Sequence, residues 1–196
     1  QQAFLSYIKR FYSHHNILIN QQQLREKISL PKPQVFEDIA PTKEEAKQII
    51  LECYNTELRA LITLIKDTLA RPSEILSLRL EHVNLAHDPP YLTIPAYAAK
   101  NNLPREAFFT NETKQFLIAH LQKKRITETH QYIFLNRENL DPTVDEVEFQ
   151  KAVVNRLRTL SEIWRSTLRK RLPNLLAKVE QKGAVRYKLH IYSWKK

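Results

Sequence analysis

The 196-residue chain has one glycine, one cysteine and no methionine. With Gly183 alone, no P-loop, dinucleotide fingerprint or glycine-rich kinase loop can be written into it. With Cys53 alone there is neither an internal disulfide framework nor a Cys-rich zinc module, which points to a reducing compartment. No apolar run approaches the roughly 18 residues of a membrane span, and the N-terminus lacks the basic-then-apolar order of a signal peptide. The expectation is a soluble, cytoplasmic chain with no membrane partner. Because it opens Gln1-Gln2-Ala3 without methionine, it is expected to be part of a longer product.

What is present is enough for a packed core: 42% of residues are hydrophobic and 27% charged, which argues against wholesale disorder. The formal charge is +10 and is unevenly placed. Residues 1–150 carry 18 basic and 19 acidic side chains, whereas residues 151–196 carry 13 basic and 2 acidic. The whole excess therefore lies in the last quarter, where a polyanion is the natural partner, since neutralised phosphates release condensed counterions. That quarter is not a plain tail. Leu157, Leu160, Ile163, Trp164 and Leu168 recur at helical spacing among Arg156, Arg158, Arg165, Arg169 and Lys170, giving one apolar and one basic face.

Along the chain, Phe4, Leu5, Ile8, Phe11 and Tyr12 share a helical face, and residues 1–15 read as the end of a helical domain. Residues 16–39, with Pro31 and Pro33 behind a glutamine run, read as a linker. A second domain, 40–196, opens with a capping box, Thr42 to Glu45. Ile49, Ile50, Cys53 and Tyr54 are the expected buried face of its first helix. A second helix is expected from Glu57 to Leu69, and a third begins at Pro72 with Ile75, Leu76, Leu78 and Leu80 as its stripe. Tyr91–Ile94 and Glu106–Phe109 are β-prone runs around a polar loop, which reads as a hairpin. Asn111–Lys124 is helical again, Tyr132–Leu135 is a candidate lone strand, and helix resumes near Val144. The fold class is mostly α with a small antiparallel β-sheet.

The segment Leu69-Ala70-Arg71-Pro72-Ser73-Glu74-Ile75-Leu76-Ser77-Leu78-Arg79 resembles the first arginine box of the tyrosine recombinases, the phage integrase family. Lys100, in Ala98-Ala99-Lys100-Asn101-Asn102-Leu103-Pro104-Arg105, is similar to that family's β-hairpin lysine. The resemblance covers residues 40–196, with the preceding helix as the tail of an N-terminal DNA-clamping domain. It implies that Arg71 holds the scissile phosphate, that Glu74 buttresses Arg71, and that Lys100 protonates the departing 5′ oxygen. It also implies strand breakage and rejoining without metal or other cofactor, through a 3′-phosphotyrosyl intermediate, by a protein that assembles as a tetramer on duplex DNA in the nucleoid.

The residue types suit that chemistry independently. Phosphoryl transfer needs cations where charge develops on the equatorial oxygens, and arginine offers parallel donors in a rigid fork. Lysine suits the acid role, because burial beside other cations lowers its pKa towards working pH. Arg105, Arg156, Arg165, Arg169, Lys170, Arg186 and Lys188 are the expected DNA contacts.

The C-terminal motif departs from the family pattern. The family has His-x-x-Arg, whereas aligning the basic pair here puts Tyr192 at the histidine and Lys195 at the arginine. Lysine keeps the charge and loses the fork, and tyrosine donates a hydrogen bond but is a poor base. His190, two residues earlier, is the candidate substitute. The nucleophilic tyrosine is expected beyond Lys196, so the catalytic domain is expected to be incomplete at its C-terminus. No histidine spacing suggests a metal site. The alternatives are a degenerate, non-catalytic DNA-binding member of the family, a type IB topoisomerase-like enzyme, or an unrelated helical RNA-binding domain.

Overall fold

The computed structural model describes residues 2–17, 41–135 and 145–175. The chain divides into two compact units, residues 1–35 and 36–196. In the first, helix α1 (Gln2–His14) carries Phe11 with its ring against Tyr12 and His15. Most of the expected linker lies outside the described residues.

The second unit is built around one helix. Helix α2 (Lys43–Glu52) starts at the capping box read from the sequence: the Thr42 amide donates to Glu45 Oε2 at 2.8 Å, and the Glu45 amide to Thr42 Oγ1 at 3.3 Å. Helix α3 (Thr56–Thr68) follows, capped by Asn55, whose Oδ1 accepts the Leu58 amide at 2.8 Å. On α3, Leu58, Ala60, Leu61, Ile62, Leu64 and Ile65 are all fully buried. A helix apolar on nearly every side belongs at the centre of a core rather than on its edge. Its one buried hydroxyl, on Thr63, donates back to the Arg59 and Ala60 carbonyls, so no polar group is stranded there.

Helix α3 ends at Leu69, which adopts a left-handed conformation (φ 53°) and returns its amide to the Ile65 carbonyl. Helix α4 then runs only from Pro72 to Leu76. The sequence stripe through Leu78 and Leu80 suggested a longer helix. The chain instead turns at Ser77, whose hydroxyl donates to the Ser73 carbonyl, and pairs in extended form with residues 131–133. That pairing also explains Tyr132–Leu135, which forms a single bridge from Tyr132 to Arg79 rather than a strand of its own. Leu78 is nonetheless buried, because alternate residues of an extended segment also face one way.

Strands β1 (Val83–Asn84), β2 (Tyr91–Ile94) and β3 (Arg105–Phe108) form an antiparallel sheet in that order. The hairpin was legible in the sequence and β1 was not, being two residues long. In the register, Leu92 faces Ala107 and Ile94 faces Arg105, while Tyr91 faces Phe108. Leu92 and Ile94 point into the core. Arg105, opposite Ile94, therefore emerges on the same inward face.

Helix α5 (Asn111–Lys124) is fixed to the end of α3 by Asp67, whose Oδ2 accepts from the Thr110 amide and from the Thr110 and Thr113 hydroxyls at 2.7–2.9 Å. Helix α6 (Glu146–Arg171) buries Phe149, Val153, Leu160, Trp164 and Leu168. Cys53 is wholly buried, and burial pushes its thiol up to about 11, leaving it protonated at neutral pH.

A buried ion cluster joins α3, α5 and α6. Arg156 of α6 donates through Nε to Glu57 Oε1 at 2.8 Å, through Nη2 to Glu57 Oε2, and through Nε to the Phe134 carbonyl at 3.0 Å. Lys124 lies 3.6 Å from the same carboxylate. Breaking such a cluster on one side strands a charge away from water, at a cost of about 3–5 kcal/mol. Glu57→Ala is expected to lose about that much in denaturant unfolding, and the paired Glu57→Leu/Arg156→Met replacement clearly less.

Candidate phosphate site

Arg71 sits immediately before α4, and Pro72 supplies the first helical residue, so the Arg71 amide faces the Glu74 side chain one turn on. That amide donates to Glu74 Oε2 at 2.6 Å, and Arg71 Nη1 lies 3.4 Å from Oε1. The sequence suggested this pair. It did not suggest the third member: Arg105, thirty-one residues on, donates Nη2 to Oε2 at 2.7 Å and Nη1 to Oε1 at 3.4 Å. Glu74 thus receives four N–H groups, two on each oxygen, which matches the roughly four lone-pair positions of a carboxylate.

The burial is lopsided. The Glu74 side chain is 1% exposed, those of Arg71 and Arg105 are 42% and 41% exposed. Burial by itself raises the Glu74 pKa, but the hydrogen bonds from Arg105 and the Arg71 amide, with the charges of both arginines, override it and hold the acid below its usual range. Two cations over one anion leave a surplus positive charge at the surface.

Lys100 is exposed on the turn between β2 and β3. The turn is anchored. Ala99, beside it, is buried, and the Tyr97 hydroxyl donates to the Ser77 carbonyl at the end of α4, 3.3 Å away. The Tyr97 ring also packs edge-on against Phe149 of α6. The loop carrying Lys100 is thereby tied to the helix that Arg71 opens.

Of the expected DNA contacts, Arg165, Arg169 and Lys170 are exposed on α6. Arg165 and Arg169 share a stripe with Arg158 on the side away from the Leu160–Trp164–Leu168 core line. Arg156 is a correction: it turns inward to Glu57, because a half-buried helix position beside a buried carboxylate satisfies both charges. Arg105, expected as one of many DNA contacts, shares the carboxylate of Arg71 and is 41% exposed. His190, Tyr192, Lys195, Arg186 and Lys188 lie outside the described residues. Among the described residues no three His, Cys, Asp or Glu side chains gather as a metal site, and no helix is long and apolar enough to cross a membrane.

A mostly helical unit with a small three-stranded antiparallel sheet is a recombinase-type catalytic-domain fold. The model of the phage integrase family matches residues 41–182. The chain belongs to that family, the tyrosine recombinases. Among solved structures it is similar to one described as the crystal structure of XerA recombinase, with a TM-score of 0.53 and 14% identity over 96% of this chain. The chain spans 56% of the length of that structure. No curated protein matches it.

The sign of the Glu74 shift sets a pH dependence. A carboxylate whose folded pKa is depressed contributes stability above its unfolded pKa of about 4.3, and that stability is lost as pH falls through the lower folded value. Glu74→Gln is expected to lower the unfolding free energy at pH 7 by roughly 1–3 kcal/mol. The gap from the parent chain should narrow as the pH falls below about 4, read from urea midpoints at neutral and acid pH.

Proposed function

We propose that this chain is the catalytic region of a site-specific DNA recombinase that breaks and rejoins strands through a 3′-phosphotyrosyl intermediate. The observation that carries this reading is the surplus cation at Glu74: Arg71, locked at its backbone and half-exposed at its guanidinium, opens the helix to whose far end Tyr97 ties the turn that bears Lys100. A phosphodiester passing to a five-coordinate transition state gathers charge on its non-bridging oxygens, and a preorganised guanidinium stabilises that charge without reorganising. Lys100 protonates the leaving 5′ oxygen. A tyrosine supplies the nucleophile and conserves the bond energy in a covalent link. The tyrosine is not assigned among those in this chain.

Duplex DNA is the proposed partner, held by Arg158, Arg165, Arg169 and Lys170 along α6, with tetramers forming on paired sites. The departure at Tyr192 and Lys195 favours a second reading, a family member that binds DNA without cutting it.

Nicked duplexes of randomised sequence separate the two readings. In the intact full-length protein, which must carry the nucleophilic tyrosine, activity shows as a covalent DNA adduct on denaturing gels, and an inert module binds without forming one. Arg71→Ala and Lys100→Ala are each expected to cut adduct formation by at least about a hundredfold. Affinity for duplex should fall by less than about threefold, because it is spread over many basic residues. Normal adduct formation by either variant removes that residue from the mechanism.

A further inference from the structure

Arg105 has the same placement as Arg71. Both guanidiniums lie on Glu74 and both are about 40% exposed. Each places Nη1 3.4 Å from the same oxygen, Oε1, so the two nitrogens are no further apart than twice that distance, about 6.8 Å. Two non-bridging oxygens of one phosphate are about 2.5 Å apart, and each accepts at about 2.8 Å, so an anion of that size is commensurate with the separation of the two guanidinium groups and would meet the donors that Glu74 leaves over. Among the described residues, Nε and Nη2 of Arg71 and Nε of Arg105 have no protein acceptor. Glu74 is saturated by its four donors and is wholly shielded from solvent, so it does not turn a lone pair towards an incoming anion.

We propose that Arg105 is a second phosphate ligand, contacting a non-bridging oxygen of the same phosphodiester that Arg71 holds. Arg105 reaches this position because the β-sheet register sets it opposite Ile94 on the inward face. One short strand therefore links the lysine of the turn to a guanidinium of the cradle. The inference rests on the phosphate-binding reading of Arg71 and adds the residue that divides the anion's charge with it. In this chain the second fork thus comes from β3, where the C-terminal motif offers Lys195 instead of arginine.

The probe is inorganic phosphate, titrated into the 196-residue chain labelled with 15N-arginine, with the Nε–H signals of Arg71 and Arg105 as the readout. Both signals are expected to shift with one common dissociation constant. Arg105→Gln should weaken binding seen at Arg71 by at least about tenfold, and Lys47→Gln, a surface charge elsewhere, should leave it unchanged. The decisive comparison sets the double variant Arg105→Gln/Glu74→Gln against Glu74→Gln alone, since both lack the carboxylate that orients Arg71. If Arg105 touches the anion, the double variant binds phosphate more weakly than the single one. If Arg105 serves only to neutralise Glu74, the two bind alike and the proposal is overturned. Should the glutamine variant not fold, Arg105→Lys keeps the charge without the fork, and an unchanged phosphate affinity in it would equally overturn the proposal. Failure here alongside Arg71-dependent DNA cleavage rejects the second ligand alone. Phosphate binding through both arginines, with no DNA adduct formed by the intact full-length protein, rejects the recombinase reading and leaves the cradle standing.

Discussion

A carboxylate taken out of water must recover, from the protein, the donors it gives up, and Glu74 recovers four of them from two arginines that belong to different elements. This constraint fixes much else. It holds the start of α4 to the sheet, orients Arg71 from both its amide and its guanidinium, and makes the position of Arg105 on β3 consequential. Because the anion is buried and the cations are not, the structure presents positive charge outward from a rigid base.

Glu57 shows how a similar collection of charges acts when the exposure is reversed. It too is a buried carboxylate with two cations, Arg156 and Lys124, but Arg156 is only 17% exposed and donates to a carbonyl as well. Burial depresses the Lys124 pKa, the nearby Glu57 charge opposing it. There the cations are used up by internal partners, and the cluster fastens three helices together. The difference between a fastening and a cluster open to a ligand thus lies in how much of each guanidinium is left facing water, which residue identity alone does not reveal.

That difference marks the limit of what could be read from sequence. The start of α2 and the whole of α3 and α5 were legible to within a residue or two, because caps and apolar spacing are local signals: Thr42 with Glu45, and the stripe through Leu58, Leu61 and Ile65; Tyr54, read with the buried face of α2, is instead exposed past the end of that helix. The Arg71–Glu74 pair was legible because its members are three residues apart. Arg105 with Glu74 and Arg156 with Glu57 were not, since their partners are brought together by strand register and helix packing over 31 and 99 residues. The same cause shortened α4: its stripe was right about burial, but the pairing of Leu78 with residue 133 required a segment far along the chain. Charge counts likewise placed Arg156 with the basic face, while its actual environment depended on a carboxylate a hundred residues earlier.

Leu69 carries a further consequence. It takes up a left-handed backbone (φ 53°) two residues before Arg71, in a chain whose one glycine is elsewhere. A branched side chain in that conformation costs about 1–2 kcal/mol relative to the right-handed form, yet a glycine there would enlarge the set of shapes open to the unfolded chain and so weaken the preference for this bend. The reversal that delivers the guanidinium to its carboxylate is thereby stiff by composition: the hinge that glycine would have provided at this corner is absent, and the backbone itself presets the meeting of the two side chains.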